Sequence, residues 1–197
     1  MLKYFLFIYL LVFFGTAFVW RSYMVWRHTG VNPYKLGNSE SAHDFIGRLF
    51  RLTNVAVFVV VCTYTFSDTL YSYLVPITWL IHPALVMSGW LLLGIALIWV
   101  LIAQLQMGDS WRIGIDSDTQ TALIRHGIFA RSRNPIFLGM QVMLAGLLLV
   151  IPNAATLVTC VLGIVLMQIQ VRLEEEHLEQ LHGDDYQAYR RQVRRWF

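Results

Sequence analysis

The chain has 197 residues, 57% of them hydrophobic and 14% charged, with a formal net charge of +3. An ordinary soluble domain carries roughly 25% charged residues, so the composition excludes that class and indicates a polytopic membrane protein. Most of the chain is expected in one helical bundle, with no separate soluble domain and no nucleic-acid partner.

A spanning helix needs about 20 apolar residues. The first candidate is residues 2–20. Its apolar part is longer than the roughly 7–15 residues of a signal-peptide core. It ends in Phe18-Val19-Trp20-Arg21 rather than in a small-residue cleavage site, and it is read as a retained helix. A polar stretch to Ser41 follows, with Gly30, Asn32-Pro33 and Gly37-Asn38 as turn signals. Ser41 with Asp44 three residues on marks a helix start. Phe45, Ile46, Leu49, Phe50 and Leu52 then line one face, with Arg48 and Arg51 beside them, and the helix runs into a second span ending near Phe66.

Residues 69–108 contain no Asp, Glu, Lys or Arg. As one helix they would be about 60 Å long, twice the thickness of the hydrocarbon core. Pro76 and Pro83 divide them into an outer interfacial piece bearing Tyr71, Tyr73 and Trp79 and a third span from about Pro83 to Gln106. Residues 134–171 are also free of charge and break at Pro152-Asn153, giving helices over 135–151 and 154–171 joined by a tight turn. The expected fold is therefore all-α, a membrane bundle of five transmembrane helices. Cys62 and Cys160 fall in apolar runs and read as buried free thiols.

Fourteen of the fifteen Lys and Arg residues fall in the loops after spans one and three and in the C-terminal segment; Lys3 is the exception. The positive-inside rule then places the N-terminus outside and the C-terminus in the cytoplasm. The chain divides into a three-span region, 1–106, and a second half, 107–197, that carries the polar motifs.

Charge is costly at membrane depth and is kept where it is wet, paired or useful. The segment Arg125-His126-Gly127-Ile128-Phe129-Ala130-Arg131-Ser132-Arg133-Asn134-Pro135 precedes the hairpin, and Glu174-Glu175-Glu176-His177 follows it. These two segments are the candidate chemical site. Glu174-x-x-His177 has the spacing of a di-iron ligand pair, but such a site needs a second motif and two more glutamates, so no metal is expected. No Gly-x-Gly-x-x-Gly and no phosphate loop occurs.

Residues 121–139, Thr-Ala-Leu-Ile-Arg-His-Gly-Ile-Phe-Ala-Arg-Ser-Arg-Asn-Pro-Ile-Phe-Leu-Gly, resemble the core motif of the isoprenylcysteine carboxyl methyltransferase and phospholipid methyltransferase superfamily. Glu174-Glu175 followed by Gly183-Asp184-Asp185-Tyr186 and Tyr189 is similar to its second motif. The resemblance covers about residues 107–197 and implies an integral-membrane methyltransferase using S-adenosylmethionine, with its cofactor site on the cytoplasmic face and a lipophilic small molecule or lipid as acceptor. Carried over, Thr121, Ala122, Leu123, Ile124, Phe129, Asn134, Pro135, Ile136, Phe137 and Glu174 would contact the cofactor. Arg133, Asn134 and Glu174 would form the catalytic set, and Gln170 and Arg172 would face the substrate. The motif histidine is Asn134 here, the motif tyrosine is Phe137, and the family's substrate-side arginine is Gln170. These departures imply a neutral acceptor rather than a prenylcysteine carboxylate.

Physical chemistry supports the same roles. In-line methyl displacement needs a nucleophile held about 3 Å from the methyl carbon, aromatic faces attract a sulfonium, and a carboxylate accepts from hydroxyl or ammonium donors. Three alternatives stay open: an isoprenylcysteine-type carboxyl methyltransferase proper, a nicotinamide-dependent membrane reductase, whose 2′-phosphate the arginines would suit, and a non-enzymatic membrane subunit. The arginines also suit anionic membrane lipids. Gln141, Gln168 and Gln170 read as interhelical contacts or a tunnel wall. Residues 189–197 read as a headgroup-level anchor.

Overall fold

In the computed structural model, residues 2–37, 40–115 and 121–197 are described; Asn38 of the second turn signal lies outside them. The described chain is helical. α1 (Leu2–Phe14) continues through a π-helical turn (Gly15–Trp20) into α2 (Arg21–Thr29). α3 (Ala42–Phe66), the short α4 (Asp68–Ser72) and α5 (Pro83–Met107) follow. The hairpin α6 (Pro135–Val150) and α7 (Ala154–His182) is closed by α8 (Asp184–Gln192).

Local chemistry accounts for several of these boundaries. The Ser41 hydroxyl accepts the Asp44 amide at the start of α3, as the capping pattern requires. Pro83 and Pro135 occupy first-turn positions, where a missing N–H costs nothing. The Asn153 side chain accepts the Thr156 amide at 2.8 Å and starts α7.

Two boundaries differ from the sequence expectation. The first helix does not stop at Trp20 but reaches Thr29, ending where Gly30 turns left-handed at φ 69. The last long helix does not stop at Val171 but runs to His182, ending at Gly183. In both places the onset of charge marks where apolar sequence stops, while the helix itself continues to the next glycine.

Among the described residues, four helical stretches are long and apolar enough to cross a membrane: Lys3–Thr29, Ala42–Phe66, Pro83–Ser110 and Ala154–His182. The fourth of the five expected spans, Pro135–Val150, is apolar but has only 16 residues, below the usual length for a crossing. It is also the most enclosed by neighbours, with Met140, Met143, Leu144 and Leu147 buried. A Cβ on Gly89 would lie 2.8 Å from the Gly146 carbonyl oxygen, and one on Gly146 would lie 2.9 Å from that of Gly89. Paired glycines thus let α5 and α6 approach closely. Leu6, Leu10, Phe13, Val57, Val61, Leu93 and Leu147 form the main core, so α1, α3, α5 and α6 all contribute to it.

Candidate functional site

Two polar assemblies form at the end of the hairpin opposite Asn153. In the first, Glu175 is gripped by both sides of the chain. Arg133 reaches its carboxylate through Nε and Nη2 at 3.0–3.2 Å, Arg195 through Nη2 at 2.8 Å, and Asn134 through Nδ2 at 2.9 Å. The side chains of Arg133 and Glu175 are 8% and 6% exposed. A carboxylate this enclosed is tolerable because two guanidiniums and an amide satisfy it.

Further bonds fold the C-terminal segment onto this cluster. Arg133 donates from Nη1 to the Val193 carbonyl at 2.7 Å and from its backbone to the Arg194 carbonyl at 3.0 Å. The Tyr189 hydroxyl donates to the Phe129 carbonyl at 2.6 Å. Burial pushes the Tyr189 phenol up to about 12, so it remains the donor. The Glu175 partner raises the Arg195 guanidinium above its ordinary value and keeps it charged. Residues 189–197 were expected to anchor at the headgroups. Within them Tyr189 and Val193 are buried beside Leu123 and Tyr186, Arg195 supplies the second arginine for Glu175, and Phe197 is exposed.

The second assembly is a cavity of about 520 Å³. Phe18, Val19 and Ser22 from the first helix, Phe50, Arg51 and Asn54 from α3, and Gln104 and Met107 from α5 form part of its wall. Ile136, Phe137 and Met140 of α6 and Gln170 and Glu174 of α7 form another part. A covering strip is made where two loops pair, the Lys35 amide donating to the Ile113 carbonyl at 2.8 Å and the Ile113 amide to that of Pro33 at 2.9 Å. Gly114 in this strip has φ 93, and a Cβ there would sit 2.9 Å from Leu36 and 3.1 Å from His43 Nε2. A side chain there would be strained and crowd both neighbours, which favours glycine.

At the polar end of the cavity, the Gln170 side-chain amide lies 3.1 Å from Glu174 Oε1 and 3.1 Å from His43 Nδ1. His43 Nε2 accepts the Ile115 amide at 3.0 Å. Gln104 bonds the Ala17 carbonyl in the π turn at 2.7 Å and keeps a buried Oε1 with no side-chain or backbone partner.

The sequence-predicted residues therefore divide. Ile136, Phe137, Gln170 and Glu174 line the cavity. Arg133 and Asn134 lie in the Glu175 cluster, and the Pro135 carbonyl is held by the Trp99 indole at 2.8 Å. Phe129 is buried outside the cavity wall. Thr121, Ala122, Leu123 and Ile124 also lie off that wall, with Leu123 packed against the tyrosines of α8. Arg172 is exposed, bonds back to Gln168 and lies off the cavity wall. The cavity's arginines are Arg51 and Arg112.

No sequence motif marks His43, Arg51, Gln104 or Arg112 as site residues. The single hint was the placement of Arg51 beside an apolar helical face.

The family model for phospholipid methyltransferases matches residues 84–185, from the first turn of α5 into α8. No curated protein matches the chain. The matched region contains the whole α6–α7 hairpin, Glu174 and Glu175, and covers just over half of the sequence; the chain belongs to the phospholipid methyltransferase family of membrane methyltransferases.

Proposed function

We propose that the protein transfers a methyl group from S-adenosylmethionine to a lipophilic small molecule or lipid that enters the cavity from the bilayer. One observation carries this reading: the family-matched hairpin forms one wall of a cavity whose sole carboxylate, among the described residues, is Glu174. At about 520 Å³ the cavity is within the range of small-molecule sites, roughly 300–1,000 Å³.

The residues present suit the cofactor. Glu174 and the partnerless Gln104 Oε1 are acceptors for ammonium or hydroxyl donors. Phe137 and Trp111 line the cavity, and aromatic rings attract a sulfonium. When bound, the cofactor supplies an activated methyl group. Glu174 and Gln104 would orient it, and the apolar wall of Phe18, Val19 and Phe50 would exclude water, which favours a step that disperses charge. Ile136, Phe137 and Glu174 are assigned direct contact. Thr121, Ala122, Leu123, Ile124, Phe129, Asn134 and Pro135 are assigned to shaping the wall behind them, within the half 107–197. Arg133 is a positioning residue acting through Glu175.

The fifth crossing is assigned to Pro135–Val150 despite its length, because the protein rather than lipid surrounds so much of it. With five crossings, all basic residues except Lys3 fall on the cytoplasmic side together with the cavity's polar end.

Binding of labelled S-adenosylmethionine to the purified protein, followed by methyl transfer into membrane lipid extracts, tests the reading. Saturable binding with transfer is expected. Binding of a nicotinamide nucleotide instead would favour the reductase class, and binding of neither would favour a non-enzymatic subunit.

A further inference from the structure

His43, Gln170 and Glu174 form a chain whose hydrogen-bond polarity can be assigned from one end. The Ile115 amide lies 3.0 Å from His43 Nε2. A backbone N–H only donates, so Nε2 holds its lone pair, and the proton of a neutral imidazole then sits on Nδ1. Nδ1 is 3.1 Å from the Gln170 side-chain amide. With the amide nitrogen at that position, His43 would need lone pairs on both ring nitrogens, which is an imidazolate. The Gln170 atom facing His43 is therefore its carbonyl oxygen, since the network decides which way a glutamine amide points; the amide's other atom is buried without a partner in either orientation, so the His43 end decides. The atom facing His43 is also 3.1 Å from Glu174 Oε1. Two acceptor oxygens in hydrogen-bond contact need a proton between them, and here only the carboxyl can carry it.

We infer that the ligand-free protein holds Glu174 as a neutral acid, that His43 is the positioning residue that sets this state, and that a cationic cofactor displaces the proton on binding. The last clause rests on the proposed function; the first two do not. The balance is simple: the Glu174 O–H bond breaks, the proton passes to solvent, and the carboxylate left behind pairs with the cofactor's positive charge. A neutral Glu174 spares the cavity an ionised carboxylate, which would be costly without a partner.

The other ionisable groups are accounted for. Arg51, Arg112 and Tyr34 line the same cavity. Asp44 and His177 adjoin His43, and Asp44 is occupied by the Gly37 amide at 2.9 Å. Glu175 and Arg133 bond each other in the neighbouring cluster.

Infrared spectroscopy of the ligand-free protein in lipid nanodiscs tests the first two clauses. At neutral pH the wild type should show a protonated-carboxyl C=O band that is lost in Glu174→Gln. Two variants then isolate His43. His43→Gln can still accept the Ile115 amide but has no donor at the Nδ1 position. The Gln170 amide can then turn its nitrogen to Glu174, and the titration midpoint of the band should fall by about one pH unit, tenfold in the ionisation constant. His43→Asn restores a donor near the Nδ1 position and should keep the wild-type midpoint. Absence of a Glu174-dependent band, or a wild-type midpoint in His43→Gln, would overturn the relay. For the third clause, calorimetry of S-adenosylmethionine binding in buffers of different ionisation enthalpy should report release of about one proton per cofactor below the midpoint. Binding without proton release overturns that clause alone. No binding at all, with the band intact, overturns the methyltransferase reading and leaves the relay standing.

Discussion

Glu174 and Glu175 are consecutive on α7 yet serve two separate assemblies, Glu175 bonded to Arg133 at 3.0 Å and Glu174 facing the cavity beside Gln170. One residue along a helix is a rotation of about 100°, enough to send neighbouring carboxylates to different surroundings. The Glu175 side fastens the start of α6, the middle of α7 and the tail into one unit. The Glu174 side is available to a ligand. Changes at the two positions should therefore separate folding from binding.

Glu175→Ala should be a stability variant. It leaves Arg133, 8% exposed, and Arg195 facing each other without their shared anion. Removing one partner of a buried ion pair costs about 3–5 kcal/mol. A lowered thermal midpoint in detergent, with or without cofactor, is the expected reading. A wild-type midpoint would show that the cluster does not hold the tail.

Glu174→Gln should be a binding variant. The loss of a charge-assisted hydrogen bond weakens cofactor binding by about 1.5–3 kcal/mol, roughly ten- to a hundredfold, while the thermal midpoint of the ligand-free protein stays close to wild type. Equilibrium binding beside a melting curve checks both halves. Full affinity in this variant would remove Glu174 from the cofactor site.

The bundle was largely legible because punctuation residues have local physical meaning. Pro83, Pro135 and Asn153 start helices where the sequence places them, and α3 ends at Phe66. The charged positions misled: Arg21 and Arg172 both interrupt apolar sequence, but neither interrupts a helix. A charge stops a membrane crossing because of solvation, whereas a helix stops for backbone reasons such as those at Gly30 and Gly183. The site was half legible. Gln170 and Glu174 share one face at i,i+4 spacing and could be read locally. His43 and Gln170 lie 127 residues apart, and only the fold brings them together.

Topology gives the third prediction. Reporter fusions at the N-terminus and the C-terminus should fall on opposite sides of the membrane, with the C-terminal one cytoplasmic, as the placement of all basic residues except Lys3 requires. A fusion within the Pro152-Asn153 turn should report the outer side. Termini on one side would mean that Pro135–Val150, at 16 residues, does not complete a crossing.

The acceptor's charge is the last prediction. The absence of a family arginine at Gln170 pointed to a neutral nucleophile, since an anion buried there would lack a partner. The cavity instead receives Arg51 from α3 and Arg112 from the loop after α5. Arg51 also donates to the Tyr34 hydroxyl at 3.0 Å, which fixes its direction. An acceptor with a carboxylate or phosphate beside its nucleophile would meet these two guanidiniums, far from the α7 motif, in addition to the bonds they already make, such as those of Arg112 to the Asp109 and Trp111 carbonyls. Between matched lipophilic acceptors, the anionic one should turn over faster. Arg51→Leu should reduce its kcat/KM by roughly ten- to a hundredfold, the equivalent of one charge-assisted hydrogen bond, and change the neutral acceptor much less. Gln170→Arg should not enhance anionic turnover, because the new guanidinium would sit one helical turn from Glu174 and pair with it while breaking the His43 contact. Faster turnover of the neutral acceptor by the unmutated protein, unaffected by Arg51→Leu, would return the specificity to Gln170 and remove the arginines from substrate recognition.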